Sequence, residues 1–540
     1  MRQFSHWPAV PALGINRLIL LSALTFTLLF NQAFFRNAAQ VYGGSLHGWS
    51  FVGSLGIFLF AVTVLLLSLL CVRHLTKPVL ILLLLIGASS SYYMNRYNIV
   101  IDTTMLTNVI ATDSKEVKDL VSLKLVLQML FLGLLPAWLV WRTRIECAPF
   151  LRECRNRVLM VMATSLLALL SATPFGADYA SFFREHKLLR YYANPATAIY
   201  STIRFISDAA ASAQDAIRAP LGLTAHIPVT DLDRELVILV VGEAARADHL
   251  GLNGYARNTT PLLANENVLT LRDASSCGTA TAYSVPCMFS LSDRSDFDLE
   301  EAGHTENLLD VLQHAGVGVL WRDNNSDSKG VTAAIEFQDF QTSDTNKRCD
   351  DECRDIGMLD GLDDWIAAHP TGDLTIVLHQ MGNHGPAYYK RYPPEFERFL
   401  PSCGTSELAN CTQEQITNSY DNALLYTDFF LSQVIAFLKQ HDSTFETAML
   451  YMSDHGESLG ENGLYLHGLP YVLAPEAQKH VAGLLWFGDS YEIDRELVKQ
   501  RIQAPVSHDD YFHTVLGLME IQTPEYNPEK DWMAGAHPVE

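Results

Sequence analysis

Five long apolar runs dominate the first third of the chain. Each is about 17 to 22 residues long, enough to cross a hydrocarbon layer of about 30 Å as an α-helix. They are Leu18–Phe35, Phe51–Val72, Pro78–Asn95, Leu125–Trp141 and Val158–Phe175. A cleavable signal peptide would explain only one run, and the first run lacks a small-residue cleavage site at its end. The pattern therefore predicts an N-terminal five-span α-helical membrane domain over residues 1–177.

Basic residues indicate how this domain is oriented. They gather before the first span, between the second and third, and between the fourth and fifth, where Arg142, Arg144 and Arg152 lie. Because short loops rich in Lys and Arg stay in the cytoplasm, these three segments are predicted to be cytoplasmic. Five crossings then place the rest of the chain on the opposite side of the membrane.

Two polar segments adjoin the spans. Between the third and fourth spans, Asn108, Thr112 and Glu116 stand four residues apart and so share one helix face. The pattern alone predicts a solvated interfacial helix near residues 100–120. Residues 178–228 are predicted to form interfacial helices and a linker, since their aromatic residues suit the membrane–water interface.

The pattern changes near residue 229, where short apolar runs alternate with helical stretches. The runs are Leu236–Gly242, Val317–Trp321, Leu374–Leu378, Ala448–Met452 and Ala482–Phe487, the last leading into Asp489. Continuous apolar strands separated by helices are typical of a parallel sheet covered on both faces. Residues 229–540 are therefore predicted to form an α/β domain with a largely parallel sheet.

Composition excludes some functions. The net charge of -22 at pH 7 argues against a nucleic-acid partner, because binding to phosphate needs a basic surface. Hydrophobic residues make up 49% of the chain and charged residues 18%, proportions that exclude a disordered protein.

Six of the nine cysteines lie in the outer part as close sequence pairs. The pairs are Cys277 with Cys287, Cys349 with Cys353, and Cys403 with Cys411. Such pairs on the oxidising side of a membrane predict disulfides, although spacing does not fix their connectivity. A zinc ribbon is the alternative, and it is disfavoured because no pair has C-x-x-C spacing.

Acidic residues and histidines gather where the predicted strands end. They are Glu243, His379, His384, Asp454, His455, Glu457 and His467. The carboxyl ends of parallel strands meet at one edge of a sheet, where ligands bind. A mixture of carboxylates and imidazoles favours Zn²⁺ over Mg²⁺, which rarely uses imidazole. The sequence therefore predicts a zinc site of the kind used in phosphate chemistry.

A hydroxyl nucleophile is available in the stretch from Ser276 to Ser284. This turn-prone stretch leads into an apolar, helix-periodic segment, and a helix N-terminus binds anions such as phosphate. A threonine hydroxyl attacks well only when deprotonated, which coordination to Zn²⁺ promotes. Thr279 and Thr281 both fit, and spacing alone does not choose between them.

Five motifs carry a resemblance to a known family. They are VGEAAR at residues 241–246, SCGTATAYSVPC at 276–287, WRDNNSDSKG at 321–330, HQMGNHGP at 379–386 and SDHGESLGENGLYLHG at 453–468. Together with the five predicted spans, they make nearly the whole chain resemble the lipid A phosphoethanolamine transferases, which include the mobile colistin-resistance enzymes. That family belongs to the alkaline phosphatase superfamily, so the resemblance implies an alkaline-phosphatase or sulfatase-like fold for residues 229–540.

The resemblance also implies residue roles. The implied ligands of Zn²⁺ are Glu243, Thr281, Asp454 and His455, with Thr281 rather than Thr279 taking up phosphoethanolamine. Lys329 would stabilise phosphoryl charge, while His384 and His467 would move protons or bind a second zinc ion. The implied substrate-binding residues are Asn108, Thr112, Glu116, Ser326, Lys329, His384 and His467, to which the strand-end pattern adds His379. The interfacial helix would then contact the donor headgroup. One departure from the family pattern is the short spacing of Cys349 and Cys353.

The implied reaction is transfer of phosphoethanolamine from phosphatidylethanolamine to a lipid A phosphate through a phosphothreonine-type intermediate. The protein is expected in the bacterial inner membrane, with the catalytic domain in the periplasm. It is expected to be a monomer. The expected consequence of its activity is polymyxin resistance. Other acceptors, such as lipopolysaccharide core or a periplasmic glycan, and transfer of glycerol phosphate remain alternatives. A sulfatase is disfavoured because Cys277 and Cys287 lack the C-x-P-x-R context. A non-catalytic membrane sensor is disfavoured by the complete ligand set beside Thr281.

Overall fold

The computed structural model describes residues 12–537, except 103–104, 108, 110–119, 147, 185 and 213–217. The described chain forms two compact units. The first contains residues up to 106 and from 121 to 207, and most of the second runs from residue 208 onward. The predicted spans fall in the first unit and the predicted strands in the second.

The first unit is helical, as its apolar runs require. Its helices are Ile15–Leu29, Gln32–Tyr42, Leu46–Leu70, Thr76–Tyr97, Leu123–Gln128, Met129–Leu134 (π-helical), Leu135–Arg142, Phe150–Ala172, Thr173–Phe175 (3-10), Gly176–Arg184, Lys187–Tyr191 and Ala196–Ser212. Four stretches are long and apolar enough to cross a membrane, namely Leu46–Leu70, Thr76–Tyr97, Leu123–Arg142 and Phe150–Phe175. The bent pair Ile15–Leu29 and Gln32–Tyr42 brings the number to five if it counts as one span.

The first span differs from the single run that hydropathy predicts. The helix breaks after Leu29 and resumes at Gln32 with a bend of 54°. Asn31 lies at the break and is fully buried; its Nδ2 donates to the Phe26 carbonyl at 2.9 Å, and its Oδ1 accepts from the Asn194 N–H at 2.8 Å. A buried amide needs such partners because an apolar surrounding offers none. Asn31 therefore stabilises a bend that the mean hydropathy of the whole run does not reveal.

The second unit is built on a seven-stranded sheet. Its strands are β1 (Glu235–Gly242), β2 (Leu269–Leu271), β3 (Gly318–Asp323), β4 (Glu336–Asp339), β5 (Leu374–His379), β6 (Glu446–Ser453) and β7 (Gly483–Phe487). Their spatial order is β2-β7-β6-β1-β5-β3-β4. The five strands from β6 to β4 in this order are parallel, which confirms the prediction of a largely parallel sheet.

Strand β7 corrects one detail of that prediction, because it runs antiparallel to both β6 and β2. The run Ala482–Phe487 therefore carries Asp489 to the sheet edge opposite Glu243. There the Asp489 N–H donates to Asp442 Oδ2 at 3.0 Å, just before β6 begins. A continuous apolar run indicates that a strand is buried and leaves its direction open.

Helices cover both faces of the sheet. Val237 and Leu239 of β1 belong to one core cluster with Phe289 and Trp321, while the intervening Ile238 is equally buried. Because alternate strand residues point to opposite faces, both faces are closed. The helices of this unit are Thr281–Met288, Leu299–Gly303, Leu308–His314, Leu362–Ala368, Gln413–His441, Arg495–Arg501 and Tyr511–Leu518.

Short elements complete the fold. Two-residue strands pair Leu13–Gly14 with Ile145–Glu146 in the first unit, and Ser458–Leu459 with Tyr465–Leu466 and Ala274–Ser275 with Val506–Ser507 in the second. Single 3-10 turns lie at Ala247–His249, Gly251–Asn253, Leu263–Asn265, Asp355–Leu359, Tyr388–Lys390, Pro394–Phe396, Leu408–Asn410, Glu461–Gly463, Glu476–Gln478 and His508–Asp510.

The three disulfides join the cysteines that are close in sequence. They are Cys277–Cys287, Cys349–Cys353 and Cys403–Cys411, all in the second unit. Cys71 and Cys154, in the first unit, are free. The predicted disulfides are therefore confirmed, including the closely spaced middle pair.

Candidate active site

Three strand ends bring Glu243, His379 and Asp454 together. Strand β1 pairs in register with β5, where Val241 lies opposite His379, and with β6, where Gly242 lies opposite Ser453. Glu243 immediately follows β1, and Asp454 immediately follows β6. All three side chains are fully buried, so the sheet topology delivers two carboxylates and an imidazole to one protein-enclosed edge.

Thr281 is the first residue of the helix Thr281–Met288 and faces these strand ends. Its Oγ1 donates to Glu243 Oε2 at 3.1 Å and lies 3.2 Å from His455 Nε2. A hydrogen bond from Ser284 Oγ to the Asp454 carbonyl holds this helix against the end of β6. Gly278 is needed just before the helix, since a Cβ there would lie 2.9 Å from the Tyr283 ring and 3.1 Å from the Ser284 nitrogen.

Thr279 makes a different contact. Its Oγ1 is buried and donates to the Leu469 carbonyl at 2.6 Å, so its hydroxyl is engaged away from the strand-end carboxylates. The geometry thus separates two threonines that sequence spacing leaves equivalent: Thr281 contacts Glu243 and His455, and Thr279 connects two loops.

Glu243, Thr281, Asp454 and His455 have the separations expected of zinc ligands. Besides the two Thr281 contacts, His455 Nε2 lies 3.2 Å from Glu243 Oε1 and 3.5 Å from Asp454 Oδ2. Four ligands at the usual 2.0–2.1 Å from a tetrahedral zinc ion would be about 3.3–3.4 Å apart. Glu243 Oε1 and Asp454 Oδ2 are buried and accept no hydrogen bond from the described residues. The donor set therefore fits a buried divalent cation.

The pKa values of the protein's own side chains also indicate that this site needs positive charge. Burial opposes ionisation of Glu243, but His455 outweighs it and holds the pKa of Glu243 well below its usual range. Burial and the Glu243 carboxylate together raise the pKa of Asp454 to about 6. Burial disfavours charge on His455, yet the Asp454 and Glu243 carboxylates raise its pKa to about 10. The two carboxylates therefore attract positive charge, which a protonated His455 or a bound cation can supply.

A hydrogen-bonded chain links Glu243 to the loop after β3. Asn325 Nδ2 donates to Glu243 Oε2 at 2.8 Å, and Ser326 Oγ donates to Asn325 Oδ1 at 2.9 Å. Lys329 Nζ in turn donates to Ser326 Oγ at 2.9 Å. Lys329 has a left-handed φ of 53°, a conformation uncommon outside glycine. The loop thus holds an ammonium group three hydrogen bonds away from Glu243.

His379 supports this loop through Asp323. Its Nδ1 lies 2.8 Å from Asp323 Oδ2, and Asp323 Oδ1 accepts the N–H of Asn325 at 2.9 Å. Burial lowers the pKa of His379, but the Asp323 carboxylate outweighs burial and raises it. His379 is fully buried, so the structure places it behind the loop that carries Asn325 and Ser326.

His384 and His467 form a second imidazole group beside His455. The His467 ring centroid lies 4.2 Å from that of His455 and 5.6 Å from that of His384. Glu457 Oε2 lies 2.9 Å from His467 Nδ1, and Tyr388 donates to Glu457 Oε1 at 2.9 Å. His455, Glu457 and His467 also offer ligand atoms within 4.8 Å of one another. Glu457 therefore orients the His467 ring through Nδ1.

Comparison with known proteins identifies this arrangement. Residues 235–521 match the sulfatase family, and residues 59–210 match the family described as phosphoethanolamine transferase EptA/EptB. The chain is 42% identical over 512 residues to phosphatidylethanolamine transferase Mcr-1 of Escherichia coli, an alignment that covers 92% of this chain and 94% of the relative. The chain belongs to the phosphoethanolamine transferases.

Two further comparisons extend the match over both units. The transferase is 38% identical over 532 residues to phosphoethanolamine transferase EptA of Escherichia coli K12, covering 96% of this chain and 97% of that relative. It superimposes with a TM-score of 0.93 on the solved integral membrane protein lipooligosaccharide phosphoethanolamine transferase A from Neisseria meningitidis, at 36% identity, covering 98% of this chain and 100% of that one. The N-terminal unit of the transferase is accordingly a membrane domain.

Some functional residues were missed and some lie outside the described structure. Asn108, Thr112 and Glu116, from the predicted pocket helix, are outside the described residues. Asn325 was not singled out from the sequence, although it lies inside one of the five motifs. The sequence places Asp323 and Glu457 among the polar residues that follow the strand runs, without indicating what they contact. The signal was present, because Asn325 precedes Ser326 and Glu457 lies two residues after His455, but only their contacts show what these side chains orient.

Proposed function

We propose that this transferase moves phosphoethanolamine from phosphatidylethanolamine to a phosphate of lipid A, with Thr281 as the transient carrier. The contact that carries the proposal is the 3.1 Å approach of Thr281 Oγ1 to Glu243 Oε2, with His455 Nε2 3.2 Å away. A hydroxyl at a helix start, beside buried carboxylates that attract positive charge, is suited to attack on phosphorus. The reaction named for the relatives, phosphatidylethanolamine or phosphoethanolamine transfer, supports the same donor.

Zinc dependence is part of the proposal. Glu243, Thr281, Asp454 and His455 would hold the ion, and their oxygen and nitrogen donors at 3.1–3.5 Å separations support zinc. When bound, the ion would lower the pKa of the Thr281 hydroxyl and neutralise phosphoryl charge. A second ion near His455, Glu457 and His467 is compatible with their spacing.

The protein's own groups account for the remaining chemistry. Thr281 Oγ1 attacks the donor phosphorus, the bond from phosphorus to the diacylglycerol oxygen breaks, and that oxygen takes a proton from His467 or His384. The proton lost by Thr281 restores the imidazole that protonates the leaving oxygen, and Glu243, whose pKa lies well below its usual range, stays ionised. Lys329 stabilises charge on the phosphoryl oxygens. A lipid A phosphate oxygen then attacks the same phosphorus, and the bond from phosphorus to Thr281 Oγ1 breaks. The proton that the acceptor phosphate gives up returns through His467 or His384 to Thr281 Oγ1.

Membrane attachment suits this reaction because donor and acceptor are both lipids. Drawing an acyl chain into water would cost about 0.8 kcal/mol per CH₂. We place the catalytic domain in the periplasm, at the outer face of the bacterial inner membrane, since the basic loops predict that orientation. The expected consequence is polymyxin resistance, because each added ethanolamine offsets negative charge on lipid A.

Mass spectrometry of lipid A tests the reaction and the acceptor together. Polymyxin-sensitive bacteria expressing the full-length transferase should gain one phosphoethanolamine unit on lipid A, whereas the Thr281→Ala variant should give none. A gain confined to the lipopolysaccharide core would contradict the acceptor, and a gain of glycerol phosphate would contradict the donor. Equal modification by the Thr281→Ala variant would contradict the carrier role of Thr281.

Metal analysis tests zinc dependence separately. The purified full-length protein should retain at least one equivalent of zinc, and Asp454→Asn should lose most of it. Asp489→Asn is a matched control, because Asp489 is an exposed aspartate at the opposite sheet edge and should leave the zinc content unchanged. Equal zinc in the Asp454→Asn and wild-type proteins would rule out the proposed site.

A further inference from the structure

A second group of carboxylates lies at the edge of the sheet opposite the active site. Glu235 is the first residue of β1, Asp373 immediately precedes β5, and Asp231 lies in the segment before β1. The Glu235 N–H donates to Asp373 Oδ1 at 3.2 Å, which ties the two strand starts together. At about 3.3 Å per residue, β1 carries the chain about 26 Å from Glu235 to Glu243. This group, here called the strand-start triad, is therefore separate from the catalytic centre.

Two members of the strand-start triad are buried, and each of the three has one carboxylate oxygen without a hydrogen-bond donor in the described part of the chain. Glu235 is 1% exposed and Asp373 is 4% exposed, while Asp231 is half-buried. Glu235 Oε2, Asp373 Oδ2 and Asp231 Oδ2 are each shielded from solvent and accept no hydrogen bond from any described residue. One carboxylate oxygen from each residue lies within 4.8 Å of the others. The three carboxylates therefore converge on one small volume.

Such an arrangement needs a positive charge. Among the described residues, no lysine or arginine forms an ion pair with Asp231, Glu235 or Asp373. Arg234, next to Glu235, instead donates to the carbonyls of His369 and Gly372. A buried carboxylate without a compensating charge is strongly unfavourable, and convergent carboxylates add mutual repulsion.

The proton affinities agree with this geometry. Burial, followed by the neighbouring Asp373, raises the pKa of Glu235 to about 11. Burial and the charges of Glu520 and Asp373 raise the pKa of Asp231 to about 6. Glu446 lies opposite Glu235 in the register of β6 and β1 and adds another carboxylate to this edge. The edge must take up either protons or a cation.

We propose that the strand-start triad binds a hard divalent cation, Ca²⁺ or Mg²⁺, that stabilises the catalytic domain. The three convergent ligands are all carboxylate oxygens, with no sulfur and no imidazole among them, which favours a hard cation over zinc. The ion would join the segment before β1 to the starts of β1 and β5 and so stabilise the centre of the sheet. A proton shared between Glu235 and Asp373 is the competing solution, and it predicts no response to added cations.

Thermal unfolding of the full-length protein in detergent tests the proposal. The protein is first stripped of metals and reloaded with one equivalent of zinc, so that the catalytic centre stays constant. Addition of about 1 mM CaCl₂ or MgCl₂, the range in which extracellular calcium sites fill, should raise the melting temperature by at least about 3 °C. The double variant Glu235→Gln, Asp373→Asn should show no rise.

A charge-matched control separates specific binding from general screening. Glu300 and Asp364 are exposed carboxylates of the same unit, and the double variant Glu300→Gln, Asp364→Asn should keep the full response to the cation. An unchanged wild-type melting temperature with both cations would overturn the proposal, as would an equal rise in the Glu235→Gln, Asp373→Asn variant.

A direct binding measurement keeps the test valid if the double variant fails to fold. Equilibrium dialysis of the wild type with ⁴⁵Ca²⁺, and competition by Mg²⁺, should give one site that the milder Asp231→Asn variant weakens at least tenfold. No saturable binding of either ion, or equal binding in wild type and Asp231→Asn, would overturn the proposal.

Discussion

Asn325 Nδ2 donates a 2.8 Å hydrogen bond to Glu243 Oε2, the carboxylate oxygen that also faces Thr281. The same amide donates to the Gln380 carbonyl at 2.7 Å, so its orientation is fixed by two acceptors. Groups that orient metal ligands typically change metal affinity or activity by about 10–100-fold when removed. Asn325 therefore connects the loop after β3 to the proposed metal site.

The first prediction concerns this asparagine. Asn325→Ala should lower zinc affinity and kcat/KM by about 10–100-fold, because Glu243 loses the donor that orients it. Zinc competition with a fluorescent chelator and transfer from fluorescent phosphatidylethanolamine measure the two effects. Asn265→Ala, which changes an exposed asparagine bonded to the Pro261 carbonyl, serves as the control. Unchanged zinc affinity in Asn325→Ala would contradict the role assigned to this side chain.

The second prediction separates the two threonines. Thr281→Ala should reduce transfer to background without unfolding the protein, and Thr281→Ser should keep measurable activity because it retains a hydroxyl. Thr279→Ala should instead cost about 1 kcal/mol of stability through its lost bond to Leu469 and keep most activity. Transfer rates and melting temperatures of the three variants check this. Activity that survives in Thr281→Ala and disappears in Thr279→Ala would reverse the assignment.

The third prediction concerns the ammonium of Lys329. Lys329→Met keeps the side-chain stem and removes the charge, so kcat should fall by about 10²–10³-fold while the fold remains stable. Lys347→Met is a matched control, because Lys347 is an exposed lysine whose Nζ likewise donates to local carbonyls, those of Ser343 and Asp344. Steady-state kinetics with fluorescent donor lipid measure both variants. Equal rates for them would show that the Lys329 charge does not act on the reacting phosphate.

The fourth prediction concerns stability at acid pH. Burial lowers the pKa of His508 from 6.5 to about 4, and its ring is held between the Cys277 N–H and the Ser453 carbonyl. Since the unfolded chain takes up this proton first, the stabilisation is full above pH 6.5 and declines as pH falls toward 4. Protonation of His508 in the unfolded chain should by itself lower the free energy of unfolding by about 2 kcal/mol between pH 7 and pH 5. His508→Gln, which conserves an acceptor and a donor, should remove that part of the slope.

Urea unfolding of the metal-free protein at the two pH values measures this difference. Metal-free protein is needed because loss of zinc at acid pH would add its own slope. His513 has a pKa that burial likewise lowers to about 4, so the wild-type slope should exceed the contribution of His508. An identical slope in wild type and His508→Gln would contradict the prediction.

The sequence by itself determined the two-part architecture and which polar residues of the second unit gather at the ends of its strands. Apolar runs of membrane-spanning length and short β-branched runs are local patterns, because each reports the burial of consecutive side chains. Glu243, Asp454 and His455 could be expected to meet for the same reason, since parallel strands bring their carboxyl ends to one edge.

Only the tertiary structure decided the relations that depend on distant partners. The break at Asn31 requires Asn194, the reversal of β7 requires its pairing with both β6 and β2, and the role of Asn325 depends on reaching Glu243. The choice of Thr281 over Thr279 likewise depends on which hydroxyl the helix start turns toward β1 and β6. Hydrophobic periodicity encodes which residues are buried, whereas contacts between residues far apart in sequence arise only when the folded chain fixes their directions.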